Sequence, residues 1–372
     1  MAGSKELISA LTPMKVSGRV NRLRDVLPSE VDSIIVSNLV NIRYLTGFTG
    51  SNALAYISRE DFILITDGRY EVQSSEQLRE NDIDARIEIT VQGNSPIEII
   101  SKYINQNENI ALESNEITWA SANNFIEKIS RANFVPQSNL IEALRKVKEK
   151  EEIDRIRVAC RIADEALEKT IPLLKDFPSE KEFAKQLDRA MVDNGAQGNS
   201  FDTITACGAR AALPHAFPTD SKIQPNQMIV IDFGCIYDGY CSDMTRTISV
   251  GEVDDRQNEL WQNVIDAQQM GVDYVKEGVL TSEIDSTCRT YLDQKSLADK
   301  FTHSTGHGVG LNVHEEPWVR SVEGVEVVAG NILTVEPGVY IEGFAGVRIE
   351  DTLAVEKDGA ESLTSFPKFL SV

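Results

Sequence analysis

Apolar and polar positions along the chain fall into two regimes. Over the first part, short β-rich runs at 33–39 (SIIVSNL), 52–58 (NALAYIS), 62–66 (FILIT) and 109–114 (NIALES) predict strands. Between and after them, the patterns at 68–80, 95–105 and 118–130 predict helices. Such alternation predicts an α/β sandwich with a mixed sheet.

Near Arg145 the composition shifts to the charge run RKVKEKEEIDRIR. From there Ile153, Ile156, Cys160, Ala163 and Leu167 recur at three- and four-residue steps, the signature of a long amphipathic helix. The second part is expected to open with helices over about 150–170 and 180–194. It then alternates with period two at 228–234, 240–250, 331–340 and 346–355, with helices at about 256–276 and 282–297 between. Helices gathered on one face of a largely antiparallel sheet give an α+β domain. The predicted division is therefore an N-terminal domain over 1–144 and a C-terminal domain over 145–372.

Length supports the division, because 372 residues exceed the size at which one hydrophobic core usually stops growing. A formal net charge of -21 repels phosphate backbones and anionic lipid, which argues against nucleic-acid and membrane partners. No run of apolar residues is long enough to cross a bilayer, and the polar N-terminus lacks a signal peptide's apolar core. Five cysteines (160, 207, 235, 241 and 288) without framework spacing point to reduced thiols in the cytoplasm, packed as small buried hydrophobes rather than as metal ligands.

The chemistry concentrates in the second domain. The four histidines are His215, His303, His307 and His314, and three of them share the window HSTGHGVGLNVHEEP with Gly306, Gly308 and Gly310. Glycines there allow close backbone approach or sharp turns, which suits a site. Acids interrupt the apolar strands: Asp232 in MIVIDFG, Glu336 in LTVEPGVY, and Glu350 in GVRIEDTLAV, on the same predicted face as Arg348. Asp243 follows a Tyr237-Asp238-Gly239 turn that can fold it back beside Asp232. Four converging carboxylates repel one another unless protonated or neutralised. Two divalent cations supply matching charge, and oxygen-dominated ligation with one imidazole suits Mn²⁺, with Co²⁺, Zn²⁺ or Fe²⁺ as alternatives.

Taken together, the blocks at 231–247, 303–317, 334–340 and 346–352, with ALPHAFPTD at 212–220, resemble the creatinase, aminopeptidase P and prolidase superfamily of M24 metallopeptidases. The resemblance implies a creatinase-like α/β domain followed by a pita-bread domain, a curved antiparallel sheet with helices on its outer face. It implies that Asp232 and Asp243 bind one metal, that Asp243 and Glu350 bridge both, and that His307 and Glu336 complete the second. A metal-bridging hydroxide would be the nucleophile and Glu336 the proton shuttle. His215 and His314 would contact the scissile peptide, His303 would border the pocket after the cleaved bond, and Tyr340 and Arg348 would support that pocket and the ligands.

FTGSNA (48–53) and TDGRY (66–70) resemble Xaa-Pro aminopeptidases more than dipeptidases. The expected activity is release of the N-terminal residue from short peptides with proline second, by a homodimer. The alternatives are an Xaa-Pro dipeptidase, a metal-free creatinase-like amidinohydrolase and a non-enzymatic peptide-binding module. The last two would not need all five ligand positions, and this chain keeps them all.

Overall fold

A computed structural model describes residues 2–322 and 324–372. The chain forms two compact units, one of residues 13–145 and one of residues 146–372 together with the opening segment up to Thr12. That opening segment differs from the single cut expected from composition. Its helix Ser4–Ser9 lies on the second unit: Leu7, Ile8 and Leu11 pack against that unit's core, and Ser4 donates to the Glu165 carboxylate through both its amide (2.9 Å) and its hydroxyl (2.6 Å). Three apolar residues spaced on one turn were too short a period to read from sequence.

The unit of residues 13–145 holds a six-stranded mixed sheet, in the order Arg86–Thr90, Phe62–Asp67, Leu54–Ser58, Ser33–Val36, Asn109–Glu113, Asn133–Gln137. Its central pairings are antiparallel and its outer ones parallel. Ile97, Ile99, Ile100, Phe125 and Ile129 from two helices bury against Ile35, Tyr56, Ile63 and Ile65 of the strands. The segments FTGSNA and TDGRY meet at one end of the hairpin that joins them. Asn52 donates to Asp67 (2.6 Å), Ser51 and Tyr70 share a hydrogen bond (2.6 Å), and Phe48 meets the Tyr70 ring edge-on. Asp67 caps the 3₁₀ turn Gly68–Tyr70, which leads into the helix Glu71–Glu80.

The second unit is built around two apolar clusters. In the first, the helices Lys150–Thr170 and Glu180–Asp193 pack Ile162, Ala166, Phe183 and Leu187 against Ile229, Ile231, Phe233 and Met244 of the sheet. In the second, the helices Asp255–Tyr274 and Thr281–Gln294 pack Val264, Ile284 and Cys288 against Leu333, Val335, Val347, Ile349 and Leu353. All five cysteines are buried thiols, and burial pushes Cys235 and Cys288 up to about 12.

Three stretches that read as single strands are each broken in two. The run at 240–250 divides into Tyr240–Cys241 and Met244–Ser249, leaving Asp243 in the gap. The run at 331–340 divides into Ile332–Val335 and Gly338–Ile341 around Glu336, and the run at 346–355 into Ala345–Arg348 and Asp351–Glu356 around Glu350. Period-two alternation cannot register a break of this kind, because side chains resume their alternation beyond it. At a break, a carboxylate is freed from the ladder and can turn toward a common point.

Candidate metal centre

The Asp238-Gly239 pair has positive φ at both residues (44° and 77°), the conformation that tight antiparallel hairpins require. Arg155 donates to the Asp238 carboxylate (2.6 Å) and anchors the turn. The returning chain then lays Met244–Ser249 antiparallel on Met228–Phe233, with Thr245 opposite Asp232 and Met244 opposite Phe233. This register brings Asp243 next to Asp232.

His307 sits in the short strand Gly306–Gly308, between Glu315–Val319 and Ile332–Val335. A Cβ at Gly306 would lie 2.0 Å from the Thr334 carbonyl oxygen, and one at Gly308 would lie 2.2 Å from that of Glu316. Only glycine lets the His307 backbone enter so narrow a slot. The Glu336 amide donates to the Thr305 carbonyl (2.7 Å), which fixes Glu336 beside the same strand.

Side chains from these elements converge. His307 Nε2 lies 3.3 Å from Glu336 Oε1 and 3.5 Å from Asp243 Oδ2. Ligand atoms of Asp232, Asp243 and Glu350 lie within 4.8 Å of one another, as do those of His307, Glu336 and Glu350, and those of Asp243, His307 and His314. Asp243, His307 and Glu350 are buried.

The electrostatics are unfavourable as they stand. Burial, compounded by the charges of Glu350, Asp232 and Glu336, pushes the Asp243 carboxyl well above the usual range. Burial and the charges of Glu336 and Asp232 do the same to Glu350. Burial would also raise Glu336, but the hydrogen bond and charge of His307 outweigh it and hold that carboxyl down to about 2. Two buried oxygens, Asp232 Oδ1 and Glu350 Oε1, have no hydrogen-bond donor at all. Buried carboxylate oxygens without donors are costly, and a cation relieves both that cost and the mutual repulsion. The donor set of four carboxylates with the His307 imidazole, and that of His314 beside it, therefore fits divalent ions of intermediate hardness.

Around this cluster lies a cavity of about 520 Å³, bordered by His215, His303, His307 and His314. The His314 ring packs edge-on to His307 at 4.3 Å. His303 bonds the Tyr340 hydroxyl through Nε2 (2.9 Å) and the Ser304 carbonyl through Nδ1 (2.7 Å). Tyr340 lies behind the wall and accepts from Arg348 (2.6 Å). Arg348 also donates to Asp232 (2.5 Å), to Thr245 (3.2 Å) and to the Pro214 carbonyl (3.2 Å).

Several supporting groups were not among the residues the sequence singled out. Thr245 donates to Glu350 (2.8 Å), and Thr334 donates to Glu336 (3.3 Å). Each is two residues from a candidate ligand along a strand (Thr245 from Asp243, Thr334 from Glu336), a spacing that could have flagged it. Glu180, wholly buried, accepts from the Cys207 amide (2.9 Å), Arg210 (3.1 Å), the Thr219 amide (2.9 Å) and the Thr219 hydroxyl (2.7 Å). One carboxylate thus ties both ends of the loop that carries His215. Asp285, also buried, binds Arg289 through both oxygens (3.0 Å each) and accepts from Thr305 (2.8 Å), while Arg289 donates to the His303 carbonyl (2.9 Å). Glu180 opens the helix Glu180–Asp193, where an acid is expected for other reasons, and Asp285 lies four residues before Arg289 in the helix Thr281–Gln294, where it reads as an ordinary helical ion pair.

Known proteins resemble the chain in both of its parts. Residues 154–357 match metallopeptidase family M24, and residues 19–147 match the creatinase/prolidase N-terminal domain. An Xaa-Pro dipeptidase of Pyrococcus furiosus is 33% identical, over 90% of this chain and 94% of that protein. Among solved structures, an Xaa-Pro dipeptidase from Bacillus anthracis superposes with a TM-score of 0.91 at 36% identity, covering 96% of this chain and 100% of that one. An X-Pro aminopeptidase from Thermotoga maritima superposes with a TM-score of 0.86 at 33% identity, covering 95% and 100%. With a creatinase-like domain followed by a pita-bread domain that gathers its acids and histidines into one cavity, the chain belongs to metallopeptidase family M24.

Proposed function

We propose that this metallopeptidase hydrolyses Xaa-Pro peptide bonds and releases the N-terminal residue from short peptides with proline second. The observation that carries the reading is the pair of donorless buried oxygens on Asp232 and Glu350, inside a cluster of five candidate ligands that opens onto a histidine-lined cavity. Asp232 and Asp243 would hold one ion and His307 and Glu336 a second, with Asp243 and Glu350 shared; Mn²⁺ is the metal we favour. The triplets Asp232, Asp243, Glu350 and His307, Glu336, Glu350 overlap at Glu350, which supports its shared role. Two divalent cations there would supply Lewis acidity and a water of near-neutral pKa.

The chain's own groups account for the remaining steps. Glu336, in contact with His307 and held ionised, takes the proton of the attacking water and delivers it to the departing proline nitrogen. That transfer matters because the nitrogen leaves as a neutral amine only once it has gained a proton; an unprotonated amide anion is too basic a leaving group near neutral pH. His215 and His314 border the cavity where they would orient the scissile carbonyl and stabilise its developing charge. His303, braced by Tyr340 and Arg348, would border the proline ring.

The names of the relatives support cleavage at proline and divide between dipeptidase and aminopeptidase. Metal-loaded protein should release the first residue from Xaa-Pro-Xaa tripeptides and leave Xaa-Ala-Xaa controls largely intact. Equal cleavage of the controls would sink the proline reading.

A further inference from the structure

The cavity has walls of opposite character. Phe201, Pro214, Phe217 and Trp318 supply apolar surface, with Phe217 73% and Trp318 38% exposed. Asp202 adds a further, exposed carboxylate outside the ligand cluster. Among the described residues of the wall, Arg348 is the sole lysine or arginine. It is buried and fully engaged: its side-chain nitrogens donate to Asp232, Tyr340, Thr245 and the Pro214 carbonyl.

A dipeptide ending in proline places a free carboxylate directly on the proline ring. In this cavity that group would be partly desolvated, with the one arginine of the wall already engaged by protein partners and with Asp202 lining the same space. A carboxylate so placed is disfavoured by lost hydration and by like charge. An amide or a continuing peptide in the same position is neutral, and it can lie along the aromatic wall without that cost.

Resting on the Xaa-Pro reading above, we infer that Asp202 and the cation-free aromatic wall at Trp318 make this cavity select substrates in which proline is followed by a neutral group. Peptides continuing beyond proline are its class, and free Xaa-Pro dipeptides are poor substrates. Asp202 and Trp318 act as specificity-determining residues.

The test compares three substrates with one N-terminal residue on the metal-loaded protein: the dipeptide Xaa-Pro, its amide Xaa-Pro-NH₂, and the tripeptide Xaa-Pro-Ala. The amide matches the dipeptide in size, so their ratio isolates charge. The expected result is a kcat/KM at least about tenfold higher for the amide than for the free acid, with the tripeptide between them. Asp202→Asn and Trp318→Arg, both at accessible positions, should each narrow the amide-to-acid ratio several-fold. A free acid cleaved as well as its amide overturns the inference while leaving Xaa-Pro hydrolysis standing. A ratio unmoved by both variants overturns the assignment to these residues. Failure to cleave any of the three would instead overturn the Xaa-Pro reading.

Discussion

Arg348 donates to one oxygen of Asp232 at 2.5 Å while the other oxygen of that carboxylate is buried without a donor. The arginine thus sets the rotation of Asp232 and leaves one oxygen for a cation. Arg348→Lys retains the charge but loses the fork that reaches Asp232, Tyr340 and Pro214 together. Metal affinity or kcat/KM should fall about 10–100-fold, the usual cost of removing a group that orients a ligand. Metal titration followed by activity, with unchanged values counting against the role, measures this.

Asp243→Ala removes a carboxylate that belongs to two of the three candidate ligand sets. Bound metal and turnover should be lost together. Elemental analysis of dialysed protein that still finds two ions per chain would contradict the shared role.

Glu336→Gln preserves shape but removes the group that accepts a proton. At least one ion per chain should remain, while kcat falls by about 10²–10⁴-fold, the range ascribed to positioned proton transfer. A variant that loses its metal as readily as Asp243→Ala would mean that Glu336 serves as a ligand alone.

Glu180→Ala leaves the Cys207 and Thr219 amides without an acceptor and frees both ends of the loop bearing His215. Each orphaned buried donor costs about 1–3 kcal/mol. Urea unfolding should register that loss. With metal content unchanged, kcat/KM should also drop, because His215 is no longer held. Undiminished kcat/KM in folded protein would separate the loop from the chemistry.

Asp351 carries a pH signature. Burial works to raise its carboxyl, but Arg246 (2.9 Å) and Lys368 (2.5 Å) outweigh it and hold the group below its ordinary value. Its folded pKa being the lower, its contribution is complete above the unfolded value near 3.9 and vanishes as pH falls through the folded one. Asp351→Asn should therefore cost about 3–5 kcal/mol at neutral pH. The gap to the wild type should begin to narrow below about pH 4. A gap that is constant from pH 7 to pH 3 would exclude the ion pairs as its origin.

Much of this site was legible because its residue types are rare where they occur. Histidine is absent before His215, and acids are conspicuous in apolar strands, so His307, Asp232, Glu336 and Glu350 declared themselves without coordinates. The long helices were equally plain, since Lys150–Thr170 and Asp255–Tyr274 repeat their apolar stripe over several turns. Short helices such as Arg19–Val26 and Leu39–Thr46 complete barely two turns, too few for a period to emerge. The strand Arg86–Thr90 and the edge strand Asn133–Gln137 were missed because partial exposure leaves their composition mixed. Glu180 and Asp285 were invisible for another reason: their roles depend on contacts with segments far along the chain, which no local pattern encodes.

The two apolar clusters of the second unit bear on how the protein comes apart. Asp232 and Asp243 are rooted beside Ile231, Phe233 and Met244 of the first, whereas Glu336 and Glu350 are rooted beside Val335 and Ile349 of the second. Ions gripped by all four carboxylates would rivet one greasy lobe to the other across a polar seam. Stripping them with a chelator should then cost cohesion as well as catalysis, loosening the lobes from each other before either one melts.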